Sequence, residues 1–179
     1  TVAEEFATNE YDTHILVDFA ACSPEIRDLF NDVSDLNRIF MRLQLEYGIE
    51  LKERKSAIIF DEVQLVPKAR QAIKYLVKDG RYDYIETGSL ISIRKNVKDI
   101  LIPSEEVKLY MHPMDYEEFK WALGDTATIK LLRDCFHGRI SLGDATNRKL
   151  MRDFRLYMLV GGMPQAVASY IETNNLEKV

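Results

Sequence analysis

Ser56-Ala57-Ile58-Ile59-Phe60-Asp61-Glu62 is the stretch on which the reading of the whole chain turns. Five uncharged residues, four of them apolar, run without alternation into two adjacent carboxylates. An apolar run of this length reads as a strand buried on both faces, which is the habit of a parallel sheet covered by helices. Ionised groups cannot sit inside such a strand, so its C-terminal end is the first place where they can reach a ligand.

The flanking sequence supports that frame. Upstream, His14 to Ala20 is a short apolar strand, and Ser23-Pro24 supplies the cap and first residue of a helix running to about Asn31. Ser34 is expected to cap the next helix, whose Leu36, Ile39, Phe40, Leu43 and Tyr47 recur at helical spacing before Gly48 ends it. Downstream, Pro67 opens a helix through Ala69, Ile73, Leu76 and Val77 that Gly80 closes. Tyr82 to Thr87 is a third strand and Val107 to Met111 a fourth, after a polar loop holding Arg94, Lys95 and Lys98. Strands alternating with helices define an α/β fold with a parallel sheet. The opening Thr1 to Ala7 reads as helix without a cap.

Past His112-Pro113 the pattern is helical only. Asp115 with Glu118 forms a capping box for Tyr116 to Leu123; helices over Thr126 to His137, Thr146 or Asn147 to Leu159, and Pro164 to about Glu172 follow. The expected organisation is an α/β core over residues 1–114 and an all-helical subdomain over 115–179.

At 179 residues, 46% hydrophobic and 30% charged, the chain suits one well-cored domain with a small appendage. No apolar run approaches the roughly 20 residues of a membrane span, and the N-terminus lacks a signal-peptide pattern, so membrane and secretory readings are set aside. Lys and Arg total 24 against 29 Asp and Glu, a net charge of −5 that gives no chain-wide reason to bind nucleic acid. Cys22 and Cys135 are far apart and in no CxxC arrangement, and His14, His112 and His137 are scattered. Neither a disulfide framework nor a zinc site is expected, and a reduced cytoplasmic compartment is.

Two carboxylates at a buried strand end are what phosphoryl transfer requires: one holds Mg²⁺, and the next orients and deprotonates the attacking water. The pattern has the form of a Walker B strand, although a strand that simply ends in solvated acids would look the same. Tyr84-Ile85-Glu86-Thr87-Gly88-Ser89 ends a neighbouring strand in hydroxyls, which could equally cap a turn at Gly88. Val160-Gly161-Gly162-Met163-Pro164 lets backbone approach a ligand closely, or serves as a plain helix connector. Arg148, Arg152 and Arg155 share one helix face, either phosphate-facing or solvated.

In order, these segments resemble the AAA+-like ATPases of the AAA_14 type, often followed by a DUF4143 domain. The matching residues are Ile58-Ile59-Phe60-Asp61-Glu62-Val63-Gln64, Thr87-Gly88-Ser89-Leu90, Tyr110-Met111-His112-Pro113-Met114 with Glu117-Glu118-Phe119, and Tyr157 through Pro164. The resemblance implies a P-loop NTPase core with a C-terminal helical lid, ATP and Mg²⁺ as ligands, and ATP hydrolysis. Asp61 would take the magnesium role and Glu62 that of the base, with Ser89 or Thr87 as the γ-phosphate sensor. Gly162 and Pro164 would contact nucleotide from the lid, like the GxP element of STAND-like ATPases. Arg94, or Arg155 with its neighbours Arg148 and Arg152, would be the arginine sensor or finger. The implied partners are a DUF4143-like domain in the same polypeptide and further copies in an oligomer.

One departure stands against this pattern: no GxxxxGK[ST] occurs among the 179 residues. The family places that loop after its first strand, just ahead of the helix that Thr1 to Phe6 resembles, and orders its sheet 5-1-4-3-2. The expectation is therefore a piece of a longer protein, its phosphate loop upstream, inactive as an ATPase alone. The competing expectation is a non-catalytic interaction scaffold that uses the Arg148 to Arg155 stripe on an anionic partner such as DNA.

Overall fold

The computed structural model describes residues 1–88 and 106–179. It comprises two compact units, Thr1–Lys108 and Leu109–Val179.

The first unit is built on β2 (Ser56–Asp61), which pairs in parallel with β1 (Thr13–Asp18) on one side and β3 (Asp83–Glu86) on the other. Ala57, Ile58, Ile59 and Phe60 are all fully buried, as an unalternating apolar run demands. Strand alternation sends Ala57 and Ile59 to one face, where they meet Ala3, Ala7 and Tyr11 of and beside α1 (Val2–Glu10). Ile58 and Phe60 go to the other face and join the larger core. There Phe60 stacks on Phe19, with ring centroids 5.6 Å apart, and meets Phe30 edge-on at 5.4 Å. Helices α2 (Pro24–Asp28), α3 (Leu36–Tyr47) and α4 (Pro67–Asp79) supply Ile26, Ile39, Phe40, Leu43, Ile73 and Leu76 to this core.

The helix ends follow their chemistry. Gly48 and Gly80 close α3 and α4 in the left-handed conformation that glycine adopts without strain. Three expectations change within residues 1–111, and in the helical region two helices begin earlier or later than expected, at Gly143 rather than Thr146 or Asn147 and at Thr128 rather than Thr126. Helix α1 does carry a cap: the Thr1 hydroxyl accepts from the Glu4 amide at 3.2 Å while the Glu4 carboxylate reaches back to the Thr1 amine, a reciprocal box that two residues suffice to make. Helix α3 is capped by Asp35, whose carboxylate accepts from the Arg38 amide at 3.1 Å, rather than by Ser34. The strand expected over Val107 to Met111 is absent; those residues form no ladder, and Val107 and Leu109 are 94% and 84% exposed. In the sheet order expected above, that strand would pair with the first one, which no described segment supplies, and an extended segment without a ladder partner leaves its backbone to water.

The second unit is helical: α5 (Tyr116–Ala122), α6 (Thr128–His137), α7 (Gly143–Val160) and α8 (Pro164–Thr173). Asp115 and Glu118 form the expected capping box at the start of α5. Its core centres on Phe119, Val160 and Val167, with Tyr116, Leu156 and Tyr157 packed around them. Lys120 is buried yet keeps two partners, Asp125 at 3.0 Å and Asp153 at 3.1 Å. Among the described residues no helix is long and apolar enough to cross a membrane.

Because Phe60 links both neighbouring strands to the aromatic cluster, Phe60→Ala is expected to destabilise the first unit by about 3–5 kcal/mol, read from urea denaturation.

Candidate functional site

Parallel pairing brings the C-terminal ends of all three strands to one edge of the sheet, and the charged residues collect there. Asp61 is the last residue of β2 and is in register with Asp18, the last of β1. The backbone ties this edge together: the Phe19 amide donates to the Asp61 carbonyl at 3.1 Å, and the Thr87 amide to the Phe60 carbonyl at 2.9 Å. Thr87 follows β3 directly, and its hydroxyl donates to Oδ1 of Asp61. A charge-assisted bond of this kind holds the carboxylate in one orientation. Asp18 is itself occupied, accepting from the Ala20 amide at 2.7 Å.

Glu62 leaves the strand. Its φ of 54° and ψ of 42° place it in the left-handed region, unusual for a residue with a side chain. The turn breaks the strand alternation that would have sent Asp61 and Glu62 to opposite faces. The chain then enters a short 3-10 turn, Val63–Leu65, in which the buried Gln64 donates its amide to Oε2 of Glu62. The Gln64 carbonyl oxygen has no partner among the described residues.

The edge also holds a buried charge cluster. Arg70 of α4 is 3% exposed and faces Glu86, at the end of β3, and Glu106. Burial pushes the Glu86 carboxyl up to about 7, with Arg70 opposing the rise and Glu106 adding to it.

Asp61, Glu62 and Thr87 thus lie on one edge. Ser89 and Arg94 lie outside the described residues. Gly162, Pro164 and Arg155 belong to the second unit, where Gly162 has a structural duty of its own. Its carbonyl accepts from the Met114 amide at 2.7 Å, and a Cβ on it would stand 2.3 Å from the Met114 carbonyl oxygen. Tyr157 secures the same carbonyl with its hydroxyl at 3.0 Å. Pro164 is the first residue of α8, the position where its missing N–H is harmless. Arg155 is exposed, and neither it nor Arg148 nor Arg152 makes an ion pair among the described residues.

Sequence reasoning missed Asp18, Gln64 and Arg70. Asp18 lay inside the strand expected over His14 to Ala20 rather than at its end. Gln64 stood in the matching segment without a role, and Arg70 carried no signal, because their roles depend on a left-handed turn and on partners distant in sequence.

A family model described as an AAA domain, AAA_14, matches residues 1–120. The chain belongs to the AAA_14 family. The family is one of nucleotide-binding, ATPase-like modules, and the parallel sheet with its flanking helices is a P-loop NTPase-like core followed by a helical C-terminal region. AAA domains often oligomerise. No curated protein and no solved structure matches the chain. The AAA_14 match ends inside α5, so helices α6 to α8 lie beyond it.

Gly162→Ala tests the duty assigned to that glycine: overpacking against the Met114 backbone is expected to cost the second unit about 1–3 kcal/mol, seen as a lowered Tm by circular dichroism.

Proposed function

We propose that the chain is the catalytic portion of a Mg²⁺-dependent ATPase, with Asp61 and Glu62 as its Walker B pair. The observation that carries this reading is the edge itself: a fully buried central strand of an AAA_14 domain delivers two carboxylates side by side, one oriented by Thr87 and the other by Gln64. The residues fit the metal. Only Oδ1 of Asp61 takes a hydrogen bond from the described residues, leaving Oδ2 for a hard cation, and Mg²⁺ is commonly held by one or two carboxylates together with water and phosphate oxygens. When bound, the metal would neutralise charge on the β- and γ-phosphates. Glu62 would accept the proton of the attacking water, and Gln64 would keep its carboxylate aimed. Thr87 or Ser89 would act as sensor. Residues 115–179 would serve as the lid, with Gly162 and Pro164 toward nucleotide and Arg94 or Arg155 as the arginine sensor or finger.

A second reading, a non-catalytic scaffold binding an anionic partner such as DNA, is favoured by one observation: Arg148, Arg152 and Arg155 share a face of α7 with no ion pair among the described residues. Titration with DNA at low salt separates the two, since phosphate contacts give strong, salt-sensitive binding.

The decisive experiment measures Mg²⁺-dependent ATP binding and turnover on this chain and on one extended N-terminally to include a GxxxxGK[ST] loop. In the active form, Glu62→Gln is expected to keep ATP affinity and lower turnover about 100-fold or more. Asp61→Ala should weaken binding only when Mg²⁺ is present. Equal losses from both, accompanied by unfolding, would overturn the assignment.

A further inference from the structure

A guanidinium that is 3% exposed must be paired, and the partners of Arg70 tie two remote parts of the first unit to α4. Its Nη2 donates to the two oxygens of Glu106 at 3.5 and 3.2 Å, and its Nε lies 3.5 Å from Oε2 of Glu86, an ion pair in which neither of these two atoms makes a hydrogen bond among the described residues. Glu86 is the last residue of β3, and the next residue is Thr87. Thr87 touches the Walker B segment three times: its hydroxyl donates to Asp61, its amide to the Phe60 carbonyl at 2.9 Å, and its carbonyl accepts from the Val63 amide at 3.1 Å. Whatever holds Glu86 therefore holds the donor that orients Asp61.

We propose that Arg70 is a positioning residue for the Asp61 site: by gripping Glu86 and Glu106 it fixes the end of β3 so that the Thr87 hydroxyl stays on the Asp61 carboxylate. Its relevance to catalysis rests on the ATPase reading above, whereas the positioning itself is measurable without nucleotide.

The burial of Glu86 also makes stability depend on pH. Glu86 faces Arg70 of α4 and, beyond it, Glu106. Lys108 lies 3.9 Å from Glu106, and β2 sets the uncharged Phe60 in register with Glu86. Burial disfavours the charged carboxylate, Arg70 opposes that and Glu106 adds to it, so Glu86 keeps its proton to higher pH than an ordinary carboxyl. The folded state binds that proton more tightly than the unfolded chain does. Its contribution is therefore complete below the ordinary carboxylate range and is lost as pH rises through about 7.

The test is site-resolved amide hydrogen exchange on this chain, comparing Thr87 and Val63 with Ile58 and Ile59 in the middle of β2. In Arg70→Met, protection at Thr87 and Val63 is expected to fall about tenfold or more while Ile58 and Ile59 stay within about twofold, with partial recovery in Arg70→Lys. A uniform loss at all four amides, or no change at Thr87 and Val63, overturns the proposal. Should Arg70→Met fail to fold, Glu86→Gln decides by the same comparison at about pH 8: protection at Thr87 and Val63 is expected to fall while Ile58 and Ile59 hold, and no change at Thr87 and Val63 overturns the proposal. Absence of Mg²⁺-dependent ATP binding by the unsubstituted, N-terminally extended protein would sink the ATPase reading and leave the exchange result to judge Arg70 alone.

Discussion

The burial of β2 on both faces is the constraint from which the rest of the first unit follows. A strand whose four central residues are all inaccessible to water must have a strand on each side and helices above and below. It must also expel its charges to one end. The meeting of Asp18, Asp61 and Thr87 at a single edge is thus the consequence of a parallel register combined with a core that tolerates no ionised group. The edge is polar because the interior is not.

The same residues explain how far the sequence was legible. Ile58, Ile59 and Phe60 point to a doubly buried strand because the run is short, β-branched and aromatic, and is cut off by paired acids. The caps at Asp115 and Glu118, and the closing glycines Gly48 and Gly80, are local signals that depend only on near neighbours. What escaped depends on more than local pattern. Val107, Leu109 and Met111 alternate like a strand, but a strand is a pairing and these residues have no ladder partner among the described ones. Glu62 reads as the last residue of its strand, yet a positive φ turns it out. Arg70 follows Ala69 on an otherwise apolar helical face, and only its distant carboxylates account for its burial.

Gly162 shows how a motif can serve structure and a proposed site together. The close approach of its backbone to Met114 already requires glycine there, with or without a ligand at the loop. The pairing of Gly162 with Met114 also joins the two ends of the helical unit, since Met114 precedes α5 and Gly162 precedes α8. Its small core of Phe119, Val160 and Val167 is closed by this tie as much as by apolar contact.

The parallel register has a further consequence in time. Thr13 meets Ser56 at a sequence separation of 43, so the ladder between β1 and β2 cannot form until that loop has closed. The helical unit draws its packing from α5, α6, α7 and α8, which adjoin in sequence. Local contacts of that kind form early and non-local strand pairing forms late. During synthesis or refolding, β1 and the apolar β2 segment therefore stay unpaired after the helices around them can form, and they are exposed to association with other chains until the sheet is complete.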